Sequence, residues 1–234
     1  YMTWGGMPQR FMMTDEVQTR TYLSDIYNSI LVKDIIARFN IKDLDLFNRI
    51  VEYIVTTPSQ NFSAESLSNY FANKDDRDVS KITLYNYLEY MTKAMMINKA
   101  DRYDVRGKRI LNGKYKYYLT DLGFGQIMNI GKRPQLGAYL ENIVYNELLS
   151  RGYDVKVGNL ENGEIDFIAT RFKEKIYIQV AYILADDSVI EREFGAFKNI
   201  EDNYPKYVLT MDKFDFSQNG IIHKNVIDWL LEEK

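Results

Sequence analysis

Three polar side chains in the C-terminal half of the chain have the types and spacing of a metal-dependent hydrolytic site. Glu141 lies on a predicted helix, Asp166 on a predicted strand and Gln179 on the next strand. Carboxylate oxygens are the ligands that Mg²⁺ prefers, whereas a glutamine amide offers an oxygen without charge. We therefore expect Glu141 and Asp166 to hold any Mg²⁺, with Gln179 as a weaker ligand beside them. The simpler alternatives are an exposed helix acid at Glu141 and a strand acid paired with an arginine at Asp166.

The order of these positions resembles the catalytic core of the PD-(D/E)XK nucleases, which combine three acids with a lysine beside the metal-bound water. Residues 163–167 and 177–181 match the two central strands of that core. The nuclease pattern of an acid, any residue and a lysine is replaced here by Gln179, Val180 and Ala181. One acid has therefore become neutral and the lysine is missing. Charged residues that could compensate are Glu164, Arg192 and Lys198.

A cluster of basic residues in the N-terminal half predicts a surface for DNA. The cluster falls in a loop between two strand-like runs, with Asp101 and Asp104 as opposing charges. Because DNA affinity depends largely on cations that contact phosphates, this loop and the helix before it are the expected contact. A solvated hairpin and a protein-docking module have the same pattern, and both stay open. The residues expected to contact DNA are Lys81, Asn86, Tyr87, Arg102, Arg106, Lys108, Arg109 and Lys114.

The composition excludes several other classes of site. With 46% hydrophobic and 27% charged residues, the 234-residue chain has enough apolar material for a core. It has no cysteine, which excludes disulfides and thiolate zinc sites, and its one histidine, His223, cannot form a multi-histidine metal site. There is no G-x-x-x-x-G-K-[ST] phosphate loop, so this piece is not expected to hydrolyse ATP. The formal net charge of −3 confines any DNA-binding surface to a local patch.

The spacing of apolar residues predicts two modules of an α/β fold, or α+β overall. Residues 1–40 are predicted to form a helical arm, and residues 41–128 three helices and a hairpin, a winged-helix-like module. Ser80 is the expected N-cap of the helix before the hairpin. After a linker at 129–134, residues 134–234 have the predicted order α-β-β-β-α-β-α, typical of a three-layer α/β domain of the PD-(D/E)XK nuclease-like kind.

Several longer motifs together resemble the C-terminal region, a domain of unknown function, of prokaryotic AAA-type ATPases. The resemblance covers nearly the whole chain and implies that an ATPase domain, with the ATP site, precedes Tyr1. It also implies that Gln179 and Ala181 are the usual residues of the family. The motifs are Gly5-Gly6-Met7-Pro8, the segment 30–38, 116–123, Glu141-Asn142, 145–148, 151–155, 164–167, 177–181 and 203–207.

These observations predict a DNA-binding or substrate-recognition region coupled to the ATPase domain, in a full-length protein that is a candidate homo-oligomer. The alternatives are a metal-dependent DNA nuclease and a protein-interaction module. Mg²⁺ is the one cofactor considered for this piece. No apolar run is long enough to span a bilayer and the N-terminus has no signal-peptide pattern, so we expect a cytoplasmic protein without a membrane partner.

Overall fold

The chain folds into two compact units with helices and strands in both, which confirms the α+β class. The computed structural model describes residues 1–75, 78–128, 135–161 and 163–232, without the side chains of residues 74, 75 and 114. The first unit is Tyr1–Lys99 with Tyr117–Gln135, and the second is Ala100–Lys116 with Leu136–Lys234. The predicted linker at 129–134 lies outside the described residues.

The first unit is mainly helical. Phe47, Ile50 and Ile54 stand three and four residues apart in the sequence, a spacing that predicts one buried face of a helix, and the structure confirms it because all three are buried. Ser80 is the N-cap of α4, where its side chain accepts a hydrogen bond from the Thr83 N–H. The elements are a 3₁₀ turn at Pro8–Met12, α1 Glu16–Ser29, a π-helical segment Ile30–Ala37, α2 Leu44–Thr56, β1 Asn61–Phe62, α3 Ala64–Asp75, α4 Lys81–Lys93 and α5 Gly123–Met128.

A buried carboxylate joins two of the motifs within the first unit. Asp121 accepts hydrogen bonds at 2.7 Å from the backbone N–H groups of both Gly6 and Gly123, and a third from Met7. Gly5 has a φ of +67°, and a Cβ added there would lie 1.7 Å from Asp121 Oδ1. A glycine is therefore required at position 5. The N-terminal Gly-Gly-Met-Pro turn is held in place by the segment that follows the hairpin.

The hairpin differs most from its prediction. The sequence predicts strands at 96–103 and 114–119. The first strand, β2, is shifted by one residue to Ile97–Asp104, and the second, β3, is five residues longer, at Arg109–Leu119, so the turn between them is shorter. Residues 100–116 cluster with the second unit, so this division differs from the predicted 41–128 module. The reason is a parallel pairing of β2 with a strand of the second unit, β4 (Asp154–Leu160), from Arg102 opposite Val157 to Asp104 opposite Asn159.

The rest of the second unit follows the predicted order with one addition. Strands β4, β5 and β6 pair antiparallel in sequence, and β6, β7 and β8 pair in parallel. The four-residue strand β8 was not predicted, because a run that short has little periodicity. The spacing of apolar residues predicts a helix over 188–203, but the helix at this place ends at Gly195. The elements are α6 Leu136–Ser150, β5 Gly163–Arg171, β6 Glu174–Val180, α7 Asp187–Gly195, β7 Lys206–Thr210, β8 Ile222–Asn225 and α8 Val226–Leu231.

The helices of the second unit pack on this sheet. The Tyr145 ring on α6 lies 5.8 Å from the Phe167 ring on β5, centroid to centroid. Phe194 on α7 belongs to a buried cluster that also contains Tyr177 of β6 and Val208 of β7. Burial of these side chains fixes the strand register, because a slip of one residue would turn the core positions toward solvent. That register sets the positions of the polar residues of the candidate site.

Candidate functional site

Asp166 and Gln179 are adjacent, as predicted. Their strands pair with Phe167 opposite Ile178, and the Asp166 N–H donates to Gln179 Oε1 at 3.2 Å. Asp166 Oδ2 accepts a hydrogen bond of 2.8 Å from the Val180 N–H. The backbone N–H of Asp166 therefore occupies one of the two lone pairs of the Gln179 side-chain oxygen, and the role of Gln179 as a metal ligand stays a prediction.

A lysine that the sequence analysis did not select lies at the centre of the predicted acidic site. Lys116, near the end of the hairpin, has its Nζ 3.1 Å from Glu141 Oε1, 2.5 Å from Glu164 Oε1 and 4.0 Å from Asp166 Oδ1. Its side chain is only 6% exposed. The four residues all belong to the second unit and form what we call the Lys116 cluster. The structure thus brings an ammonium group to the acids from a strand outside the nuclease pattern.

The electrostatics of the Lys116 cluster are those of a buried ion network. Burial lowers the pKa of Lys116, but the carboxylates of Glu141, Asp166 and Glu164 outweigh it and hold that pKa above its ordinary value. Burial, and then the charge of Glu141, raise the pKa of Asp166 well above its usual range, against the opposing effect of Lys116. Lys116 is therefore charged at neutral pH, and it offsets acids that are costly to ionise in the interior.

Arg102, predicted to contact DNA, is a member of the same network instead. Its Nη2 donates to Asn159 Oδ1 at 2.8 Å and lies 2.9 Å from Glu164 Oε2. The side chain is 11% exposed. This burial follows from the β2–β4 pairing, which turns Arg102 toward the acids. The prediction that Arg102 is available to phosphates is wrong.

The two cations suggested as replacements for the missing lysine do not join the Lys116 cluster. Lys198 lies 3.7 Å from Glu191 and is largely exposed. Arg192 is bound to Glu193, with Arg192 Nη2 at 2.6 Å from Glu193 Oε1. The Glu193 side chain is buried, its Oε2 has no hydrogen-bond partner among the described residues, and its charge contributes to the raised pKa of Asp166.

As they stand, the acids of the Lys116 cluster do not fit Mg²⁺. The Lys116 ammonium lies within 4.0 Å of Glu141, Glu164 and Asp166, in the space where a cation would bind. Within the described ranges, no group of three or more His, Asp or Glu side chains is arranged to hold a metal ion. Glu141 and Asp166, the predicted metal ligands, both lie within 4.0 Å of the Lys116 ammonium, and their role as metal ligands stays a prediction.

The tip of the hairpin presents basic side chains to solvent, as predicted. Arg106 is 87% exposed and Arg109 is 75% exposed, and Lys108 is also exposed. Arg106 lies 3.1 Å from Glu161, and Arg109 lies 3.8 Å from Asp104. The side chain of Lys114 lies outside the described residues.

The predicted DNA-contacting face of α4 is only partly present. Lys81 and Asn86 are exposed, and Lys81 lies 3.2 Å from Glu65. Tyr87 is buried and packs edge-on against the Phe47 ring, with centroids 5.3 Å apart. Its expected place on the exposed side of the helix is wrong, because the aromatic ring contributes to the core between α2 and α4.

His223, the one histidine, stands between two predicted elements, where the sequence favours a surface or cap residue, but it is buried on β8. Its Nε2 is 2.8 Å from Thr210 Oγ1, and its Nδ1 accepts from the Phe216 N–H at 3.4 Å. Burial lowers its pKa, against smaller opposing effects of Asp212 and Asp215. A neutral histidine satisfied on both ring nitrogens has a structural role here.

The comparisons place the chain among proteins of unknown function. Residues 1–134 match the family described as Domain of unknown function (DUF8612). An uncharacterized protein of Haemophilus influenzae is 34% identical over 233 residues, which are 99% of this chain and 57% of that protein. Uncharacterized protein MJ1544 of Methanocaldococcus jannaschii is 27% identical over 208 residues, covering 86% of this chain and 45% of that protein. The chain therefore spans about half the length of these prokaryotic relatives.

No solved structure matches the chain. In the part of the chain that is described, no helix is both long and apolar enough to cross a membrane. The family match covers 134 of the 234 residues, which is more than half. The chain belongs to the DUF8612 family.

Proposed function

We propose that this chain is a DNA-recognition region that contacts phosphates through the tip of its hairpin and does not cleave them. The observation that carries the proposal is the exposed group Arg106, Lys108 and Arg109 at the end of a hairpin whose β2 strand is fixed by pairing with β4. A tip held by a sheet loses little conformational entropy when it meets DNA.

The acids near the tip do not prevent such a contact. The Arg106–Glu161 pair is exposed on both sides, and exposed pairs contribute only about 0–1 kcal/mol. A phosphate can therefore replace Glu161 at little cost, and release of counterions from DNA favours the exchange. The Lys116 cluster supports the absence of cleavage, because its ammonium already pairs with the acids that would otherwise bind a metal ion.

The test is fluorescence anisotropy of labelled duplex and branched DNA at two salt concentrations. Replacing Arg106, Lys108 and Arg109 together by glutamate is expected to weaken binding by on the order of a hundredfold or more at low salt. The slope of log affinity against log salt concentration is expected to fall by the equivalent of about three phosphate contacts. The reason is that three cations no longer displace counterions.

The matched control replaces three exposed lysines elsewhere, Lys33, Lys173 and Lys213, by glutamate. This variant has the same net charge as the hairpin variant but keeps the tip. Equal loss of affinity in both variants would attribute binding to net charge alone. No binding of the unaltered chain at low salt would reject the proposal and favour the protein-interaction alternative.

The second candidate is a metal-dependent nuclease, favoured by one observation. Lys116 brings an ammonium group to Glu141, Glu164 and Asp166, so an acid set and a lysine do meet in space. Our proposal predicts that supercoiled DNA incubated with Mn²⁺ yields no product above an Asp166→Ala control. Cleavage that is lost in Asp166→Ala and in Lys116→Met would replace the non-cleaving proposal with the nuclease.

The ATPase domain implied by the sequence resemblance is also part of the proposal. Both relatives extend well beyond the matched region, which leaves room for a further domain in the whole protein. We propose that such a domain couples nucleotide hydrolysis, and any homo-oligomer that it forms, to DNA recognition by this region. ATPase activity of the full-length protein, measured with and without DNA, tests this coupling.

A further inference from the structure

A cavity in the second unit belongs neither to the Lys116 cluster nor to the hairpin tip. Its volume is about 800 Å³, which is in the range of ligand-binding clefts. It lies among α7, the turn after α7, the loop before β7 and the turn at 218–221. Neither the sequence motifs nor the proposed DNA contact accounts for it.

The floor of the cavity is apolar and one wall is acidic. Ile190 and Phe194 line it from α7, and Ile221 lines it from the turn before β8. Asp187 and Glu191, one helical turn apart on the same face of α7, are exposed at its edge. A ligand in this cavity would therefore contact the apolar side chains with one part and the two carboxylates at the edge with another.

The lysines of the cavity only partly balance these acids. Lys206 Nζ donates to the backbone oxygens of Asp202 and Tyr204, at 2.6 and 3.4 Å. Its ammonium group therefore stabilises the loop before β7. Asp202 is likewise committed to the Tyr177 hydroxyl at 2.6 Å. Of the two acids of α7, Glu191 lies 3.7 Å from Lys198, the exposed lysine of the lining.

Neutral hydrogen-bonding groups complete the lining. Asn203, Gln218 and Asn219 present exposed carboxamides, each with a donor and an acceptor. Tyr204 offers a ring that is 44% exposed. Carboxamides suit the alternating N–H and C=O groups of a peptide backbone, whereas the acidic edge disfavours the phosphates of a nucleic acid.

We propose that this cavity is a docking site for a short peptide segment of a protein partner, with a large apolar side chain next to lysines or arginines. The apolar side chain packs on Ile190 and Phe194, and the cation lies beside Asp187 and Glu191. Charge complementarity selects this occupant. The inference is independent of the proposed DNA contact, which uses other residues.

The probe is a fluorescein-labelled nonapeptide, GSKLKFKSG, titrated into the ¹⁵N-labelled chain. The amide signals of Gly195 and Gly220, both in the cavity lining, are expected to shift. The double variant Asp187→Asn and Glu191→Gln is expected to bind about tenfold more weakly at low salt, because two attractive charges are lost. Lys198→Glu is expected to bind severalfold more tightly, a gain that damage to the fold cannot produce.

A matched control neutralises Asp25 and Asp34, two exposed acids of the first unit, and is expected to leave peptide affinity unchanged. Circular dichroism checks that each variant is folded. The proposal is overturned if the peptide leaves the Gly195 and Gly220 signals unmoved, or if a version with glutamate in place of lysine binds equally well. It is also overturned if an oligothymidine shifts these signals and the peptide does not.

Discussion

Replacement of Lys116 by methionine is expected to lower the free energy of unfolding of this protein by about 3–5 kcal/mol, because it removes one partner of a buried ion network. Methionine fills similar space without charge, so the loss is electrostatic. Glu141 and Asp166 would remain in the interior without the cation that lies 3.1 and 4.0 Å from them. In a chain of this size the melting temperature would fall by about 6–20 °C.

The pH dependence distinguishes this account from a simple packing loss. The pKa of Asp166 is already raised in the folded protein, and without Lys116, which opposes that shift, it would exceed the value in the unfolded state by more. The folded variant would hold protons that the unfolded chain releases, so its stability would fall as pH rises above about 4. The gap in melting temperature between Lys116→Met and the unaltered chain should thus be larger at pH 8 than at pH 5. An equal gap at both pH values would contradict the ion-network interpretation.

Asp166→Asn is the matched variant, with the opposite expected sign. The pKa of Asp166 is raised in the folded protein, so its contribution to stability is present at low pH and is lost as pH rises. Asparagine does not ionise, so this variant does not lose stability as pH rises through the pKa of Asp166. Its side-chain oxygen still accepts the hydrogen bond from the Val180 N–H. We expect Asp166→Asn to be more stable than the unaltered chain by about 1–2 kcal/mol at pH 8.

Mn²⁺ should raise the melting temperature of Lys116→Met and not that of Asp166→Asn or the unaltered chain, since only Lys116→Met has a vacated cation position.

Replacement of Asp121 by alanine is expected to have the second largest effect, about 2–4 kcal/mol, because buried N–H groups would lose their acceptor. These donors belong to Gly6, Met7 and Gly123. The effect should be local to the Gly-Gly-Met-Pro turn and the start of α5. Hydrogen exchange measures it directly: the amides of Gly6 and Gly123 should lose protection before those of α2.

Asp15→Ala is the control for this prediction. Asp15 is the N-cap of α1 in the same unit, and its side chain accepts from the Gln18 N–H at 2.8 Å. Loss of an exposed cap costs about 1 kcal/mol and should leave Gly6 protected. If Asp15→Ala loosened Gly6 as much as Asp121→Ala did, the turn would depend on the stability of the whole unit and not on the Asp121 carboxylate.

The sequence by itself determined most of the helices and strands, and the strand positions of two of the three predicted catalytic residues. The buried stripe on α2 and the Ser80 cap could be predicted from the sequence because helical periodicity and capping depend on residues three or four positions apart. The adjacency of Asp166 and Gln179 was readable because consecutive strands usually pair. The exposed tip residues were also readable, since a short charged loop between strands lies at the surface.

Only the tertiary structure decided what those residues contact. Lys116 meets Glu141 across 25 positions of sequence, and it does so because the hairpin joins the sheet of the second unit through β2 and β4. That same pairing buried Arg102, and core packing buried Tyr87. Spacing along a chain encodes local periodicity, but the partner of a buried charge depends on which distant strands share hydrogen bonds. An acid set that suggested a metal site from its sequence is thus bound to an internal lysine in the fold.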